Sequence, residues 1–213
     1  MNILIACEES QRVCTAFREK GHNAFSCDIQ NCSGGHPEWH IMCDVTEIIN
    51  GFIQFVTLDG KLHSEVAHST WDMIIAHPPC TYLSNAGARH LYKNGQFNEE
   101  RYKMGLKGKE FFMEFYNANC EHICIENPVP SKVYGLPPYT QIIEPYMFGH
   151  PYSKKTCLWL KNLPQLQPTK IIDKDKVIST KDSIWFNHGG KDRAKQRSKT
   201  FIGIAKAMAA QWG

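Results

Sequence analysis

A chain of 213 residues with 42% hydrophobic content can bury one sizeable core, so a single domain is expected. No apolar stretch reaches membrane-spanning length and no secretory leader pattern is found, which argues against a helical membrane protein and predicts a soluble, cytoplasmic one. The nine cysteines are scattered through core-like runs and read as reduced thiols, and the net charge of +3 conceals a lopsided distribution: 13 Lys and Arg against 4 Asp and Glu from Lys154 onward, but 11 against 17 before it.

Strand and helix signals alternate along the chain, which predicts an α/β fold. Asn2 to Ala6 reads as the first strand and Gln11 to Lys20 as a helix, with Val13, Ala16 and Phe17 at helical spacing and Gly21 as its stop. Ala24 to Cys27 is a second strand closing on Asp28, and His40 to Cys43 a short third closing on Asp44. Trp71 to Ala76 is the fourth. Asn98 to Ala118 follows as a long helix despite Gly105 and Gly108, and His122 to Ile125 as a fifth strand. Pro128, Pro130, Pro137 and Pro138 then predict a loop, Thr156 to Leu160 a later strand, and Phe201 to Trp212 a small-residue helix. Between Lys161 and Arg197 no periodicity emerges.

Two strand ends carry chemistry. His77-Pro78-Pro79-Cys80 follows the fourth strand, and Glu126-Asn127-Pro128 follows the fifth. In open α/β sheets a ligand crevice lies outside the carboxyl ends of the strands, so a thiol and a carboxylate so placed can face one substrate. Singly, such residues are ordinary: most buried cysteines are small hydrophobes, and Glu before Asn-Pro commonly serves a turn.

Together, the Pro-Cys loop and the Glu-Asn motif resemble the catalytic pair of the cytosine C5 methyltransferases. The resemblance implies a Rossmann-like sheet with helices on both faces, S-adenosylmethionine as cofactor and DNA as the acceptor. Cys80 would then add to cytosine C6 as the nucleophile, and Glu126 would hold the N3 edge and donate a proton. Asp28 and Asp44 stand where the family's cofactor-holding acids stand. Ala6, Glu8 and Ser10 of the first turn, with Pro78, complete the implied cofactor site. Arg197-Ser198-Lys199-Thr200-Phe201-Ile202-Gly203 is similar to the family's last motif, packed beside the first strand.

The chain also departs from the pattern. The turn after the first strand, Ala6-Cys7-Glu8-Glu9-Ser10-Gln11, lacks the family's glycines, so a cofactor there is held differently or not at all. Lys154 and Lys155 stand in place of a paired arginine set. Only about 161–199 is available for target recognition, as in short bacteriophage-type members of the family. Asn85, Arg89 and His90 after Cys80, Asn127, Lys154, Lys155, and Arg193 and Arg197 in the basic run from Lys191 to Lys199 are the candidate nucleic-acid contacts. Trp185, Phe186 and His188 offer stacking rings. RNA or a free pyrimidine nucleotide is the alternative acceptor, and a non-catalytic nucleic-acid-binding protein the reading from another class. Cys27, Cys32, His36, His40 and Cys43 match no standard zinc spacing, so no metal is expected. A monomer is expected.

Overall fold

The computed structural model describes residues 1–51, 54–64, 71–179 and 193–213, with backbone alone at 193–195. Seven strands build one sheet: β1 (Asn2–Ala6), β2 (Asn23–Cys27), β3 (His40–Ile41), β4 (Met73–Ala76), β5 (His122–Pro128), β6 (Gln141–Ile143) and β7 (Thr156–Lys161). Their order is β6-β7-β5-β4-β1-β2-β3. The five strands from β3 to β5 across the sheet are parallel, whereas β7 runs antiparallel to both β5 and β6.

β1 lies between β2 and β4 and is covered on both faces, which is why Ile3, Leu4, Ile5 and Ala6 form an unbroken apolar run. The strand period divides that run. Leu4 and Ala6 join Ile74, Ala76, Ile123 and Ile125 in one layer, and Ile3 and Ile5 join Met73, Ile75 and Cys124 in the other. Helix α1 (Arg12–Arg18) and the C-terminal α3 (Ile202–Trp212) cover the second layer, while α2 (Glu99–Tyr116) covers the first through Phe112 and Phe115. The result is an α/β, Rossmann-like sheet with helices on both faces. Strand order reverses between β1 and β4, so a crevice opens at their carboxyl ends.

Local chemistry sets the element ends. Asn98 starts α2 by accepting from Arg101 N at 2.9 Å. Gly105, which weakens the helix signal, is required by packing: a Cβ there would overlap the Tyr134 ring. Gly21, past the end of α1, has φ +84°, a conformation that favours glycine.

The structure corrects several boundaries. β3 spans only two residues, because Asp44 accepts from Thr46 N and Oγ1 and turns the chain. Trp71 is buried but outside the ladder, donating Nε1–H to the Ile48 carbonyl at 2.8 Å. β5 runs three residues beyond its expected end, since β7 pairs with it as far as Thr156↔Pro128. The proline-rich segment after it holds only a short turn at Lys132–Tyr134. β6 was not expected, nor was the hairpin Tyr92–Lys93/Gln96–Phe97, whose Asn94-Gly95 turn has both φ values positive. The stretch after Cys80 is not a plain loop: Asn85–Ala88 and Arg89–Leu91 are helical turns.

Much of the aperiodic stretch after Lys161 returns to the body. Leu166 is fully buried and exchanges two hydrogen bonds with the Gln141 side chain, and Ile178–Ser179 pairs with Tyr152–Ser153. Trp185, Phe186, His188 and Lys191 lie outside the described residues, as does the Arg193 side chain. Among the described residues, no helix is long and apolar enough to cross a membrane.

Candidate active site

β4 and β5 are parallel neighbours in the register Ala76↔Ile125, so the next residue of each strand, His77 and Glu126, come side by side. His77 Nδ1 lies 2.8 Å from Glu126 Oε2, and only 10% and 13% of the two side chains is exposed. The motif segments are fastened beyond that point. Asn127 Nδ2 donates to the Pro78 carbonyl at 3.2 Å, Asn85 N to Val129 O at 3.0 Å, and Ser131 N to Leu83 O at 2.7 Å. Arg101, reaching from α2, donates to the Thr81 and Gly87 carbonyls and lies 4.9 Å over the Tyr82 ring. The Cys80 loop is thus held on three sides.

Cys80 is half-buried. Burial pushes its thiol up, Lys154 and Arg197 pull it down, Glu126 opposes them, and the net direction is upward. The site therefore favours a thiol, with two cations near it, over a thiolate. Lys154 is fixed by donating Nζ–H to the Arg197 carbonyl at 3.1 Å, whereas Lys155 is exposed. A small cavity lined by Glu126, Lys154, Thr156, Thr200, Phe201 and Ile204 places the C-terminal motif against the same wall.

Burial would raise the Glu126 carboxyl, but the His77 hydrogen bond, the His77 charge and Lys154 together hold it below the usual range. Burial likewise would lower His77, yet Glu126 and Glu8 overcome it and raise the imidazole. Each partner thereby favours the charged form of the other, imidazolium beside carboxylate. Glu126 was expected as an acid carrying its own proton, and here its surroundings favour the carboxylate, with the proton on its neighbour. His77 has no role in the sequence reading, because its partner is 49 positions away and meets it only through strand register.

The other end of the crevice is acidic. Cys7 and Gln11 both have φ +57°, so the glycine-free first turn takes left-handed conformations on ordinary residues. Gln11 is held there by its side chain, which accepts from His36 N at 3.0 Å and donates to His36 O at 2.8 Å. Buried Glu8 turns inward and accepts from Val13 N at 2.8 Å and Cys14 N at 3.1 Å, occupying the first amides of α1. Ser10 is half-buried and Oγ lies 3.4 Å from Glu8 Oε1. Ala6 and Pro78 are buried.

Asp28 directly follows β2, and Asp44 lies just beyond β3. Each uses one carboxylate oxygen on a local turn and leaves the other without a hydrogen bond among the described residues. Both act on Cys7, whose thiol is pushed up to about 12 by burial first and then by these two charges, so the three side chains share one place. Carboxylates there, with the α1 amides already taken by Glu8, oppose a polyphosphate and suit a cationic ligand bearing hydroxyl donors.

The remaining candidates are rim residues. Asn85, Arg89 and His90 are exposed, with Arg89 Nε 3.1 Å from His90 Nε2. Arg197 is exposed in the turn Arg193–Ser198, and Lys199 donates to Ser33 Oγ at 3.2 Å. Of the Cys and His residues from Cys27 to Cys43, Cys27 Sγ meets Cys43 Sγ at 3.7 Å, and the histidines turn to different partners. His40 engages Ser26 Oγ at 2.9 Å and Gln30 O at 2.8 Å, His36 stacks on Trp39, and among the described residues no group of three metal-ligating side chains is assembled.

No family model matches the chain, and no curated protein does. Among solved structures it is similar to that of a DNMT2 mutant from Spodoptera frugiperda, with a TM-score of 0.37 and 15% identity over 80% of this chain and 54% of that one. The chain therefore spans about half the length of the structure it matches.

Proposed function

We propose that the chain is an S-adenosylmethionine-dependent methyltransferase acting at cytosine C5 of DNA. The observation that carries this reading is the meeting of Cys80 and Glu126 at the carboxyl ends of two adjacent parallel strands, close enough for the Glu126 charge to act on the thiol. S-adenosylmethionine fits the acidic end of the crevice, being cationic, free of phosphate and furnished with ribose hydroxyls for Asp28 and Asp44. Ala6, Ser10 and Pro78 are assigned to the same cofactor end, with Glu8 holding the first amides of α1. The cofactor supplies the methyl group.

The chain's own residues do the rest. Cytosine C5 is a poor nucleophile until a thiolate adds at C6 and turns C5 into an enamine carbon, which is the task of Cys80. Lys154 and Arg197 stabilise the thiolate, and the entry of an acceptor phosphate beside them is compatible with their charge. Glu126 receives the N3 and amino edge of the base, and the tied loops keep C6 and the thiol in register. Asn85, Arg89, Lys155 and Arg193 serve the acceptor strand, which must release its base from the stack to reach Cys80, while buried Asn127, expected as a contact, holds the loop instead. On this reading the region near 161–199 is a minimal recognition segment within one domain.

Transfer of isotope-labelled methyl to unmethylated DNA, RNA and dCMP, followed by nucleoside mass spectrometry, tests the reading. Label at C5 of cytosine in DNA is expected. Label confined to RNA or dCMP would move the acceptor, and DNA binding without label or cofactor binding would replace the enzyme with a binding protein. Gly87→Ala should separate loop geometry from fold: a Cβ there would overlap the Thr81 carbonyl, so kcat should fall about tenfold or more while the Tm moves by only a few degrees. Unchanged kcat would mean that the Cys80 loop has slack.

A further inference from the structure

Glu126 faces a difficulty as an acid. A carboxyl held ionised carries no proton to give, and the nitrogen of the pyrimidine ring must gain one as electrons leave the C5–C6 bond. The only group within hydrogen-bond distance of Glu126 that holds an exchangeable proton is His77, at 2.8 Å, among the described residues. His77 Nε2 is buried with no hydrogen-bond partner among them, so the imidazole has one exit for its proton, through Nδ1 to Glu126 Oε2. The second carboxylate oxygen, Oε1, makes no hydrogen bond among the described residues and remains to meet the substrate.

We propose that His77 and Glu126 form a proton relay, in which the Nδ1 proton of His77 passes through Glu126 to the N3 of the base as Cys80 adds to C6. The inference rests on the methyltransferase reading and assigns the proton source within it. Cys80 first loses its S–H proton to solvent water, aided by Lys154 and Arg197. In the forward step the S–C6 bond forms, the C5–C6 π bond opens and the electron pair moves toward N3; Nδ1–H breaks as Oε2–H forms, and Oε2–H, turned to the base, breaks as N3–H forms. Thiolate and imidazolium are thus consumed together, leaving a neutral adduct and a neutral imidazole. After C5 has taken the methyl group its proton departs to solvent water, the C5–C6 π bond re-forms and the S–C6 pair returns to sulfur. N3–H returns its proton through Glu126 to His77 Nδ1, so thiolate and imidazolium are restored.

The charges around His77 favour this assignment on balance. Glu126 on β5 and Glu8 on the turn after β1 both stabilise the imidazolium, Lys154 ahead of β7 opposes it, and Cys80 stands on the loop that His77 itself begins. Asn127 fixes that loop through the Pro78 carbonyl, so His77 is tied at its backbone to the element that carries the nucleophile. His77 acts through Glu126 and is therefore a positioning and proton-holding residue.

Two measurements on the full chain test it. Titration of 15N-histidine-labelled protein by NMR should find His77 protonated on both nitrogens above the ordinary imidazole range, with its pKa lowered in Glu126→Gln. The pH profile of methyl transfer should contain a break at the NMR value of His77. In His77→Gln that break should vanish and kcat should fall about 100-fold or more with little change in KM for DNA, and in His77→Gly added imidazole should restore part of the rate. A His77→Gln enzyme with kcat within about threefold of wild type and an unshifted profile would overturn the relay and leave the methyltransferase reading intact. A His77 that titrates at or below the ordinary range in wild type would overturn it whether or not the variants fold. Absence of label from wild-type protein on every acceptor would instead sink the parent reading, and the relay with it.

Discussion

Cys80→Ala is expected to abolish methyl transfer, lowering kcat by about 10⁴-fold or more, the scale seen when a covalent nucleophile is removed. The reason is chemical and not structural. Alanine leaves no group able to add to C6, and C5 then never becomes nucleophilic enough to accept a methyl group. Cys80 is only half-buried, and the loop around it is held by Asn127, Asn85, Ser131 and Arg101, so the fold should survive with a Tm within a few degrees of wild type. Cofactor binding at the Asp28 and Asp44 end should also persist. Cys120→Ala is the control: that thiol donates to the Trp71 carbonyl at 3.1 Å at the opposite end of the sheet, and its loss should cost stability but no turnover. Equal loss of activity in both variants would point to unfolding, and full activity in Cys80→Ala would remove the nucleophile from the account.

The largest stability effect is expected at Phe112. Its side chain is fully buried on α2 and meets the Trp159 ring edge-on at a centroid distance of 5.0 Å, clamping the helix to β7. Truncation to alanine removes the aromatic contact and leaves a cavity that rigid strands beneath cannot close. A loss of about 3–5 kcal/mol is expected, which for a chain of this size lowers the Tm by roughly 10 °C. Denaturant midpoints at constant m-value would check it. A loss under about 1 kcal/mol would mean that α2 contributes little to holding β7 in place. Because β7 pairs with β5 along the whole segment from Thr156 to Lys161, the same variant should also loosen Glu126.

The elements that were legible in the sequence are those whose signal is local. β1 has the bounds its apolar run implies, and α2 lies within two residues of its expected ends because Asn98 caps it. The shared placement of Cys80 and Glu126 was legible because each follows an apolar run, and parallel strands align their carboxyl ends. What escaped the sequence was set by long-range pairing. β6 has only Ile142 and Ile143 as an apolar signal and exists because Thr156 to Leu158 pair with it. β5 extends through Pro128, where prolines argued for a loop, because β7 lies at the sheet position where Pro128 needs no donor to close the ladder. The His77–Glu126 contact is a consequence of register alone.

Glu8 shows the converse. Its place after the first strand pointed toward a bound ligand, and its side chain instead satisfies the first amides of α1. A sequence supplies the carboxylate but not its direction. The glycine-free turn was read as an obstacle, yet Cys7 and Gln11 reach the left-handed region, with Gln11 secured by its two bonds to His36.

Intact-protein and peptide mass spectrometry after incubation with S-adenosylmethionine and a DNA duplex carrying 5-fluorocytosine tests the central claim most directly. Fluorine at C5 cannot leave as the proton does, so the enzyme should be trapped. The expected result is a covalent adduct on the peptide containing Cys80, dependent on the cofactor and absent from Cys80→Ala. DNA binding without an adduct, or an adduct on a different cysteine, would contradict the assignment of Cys80 as the nucleophile that activates cytosine.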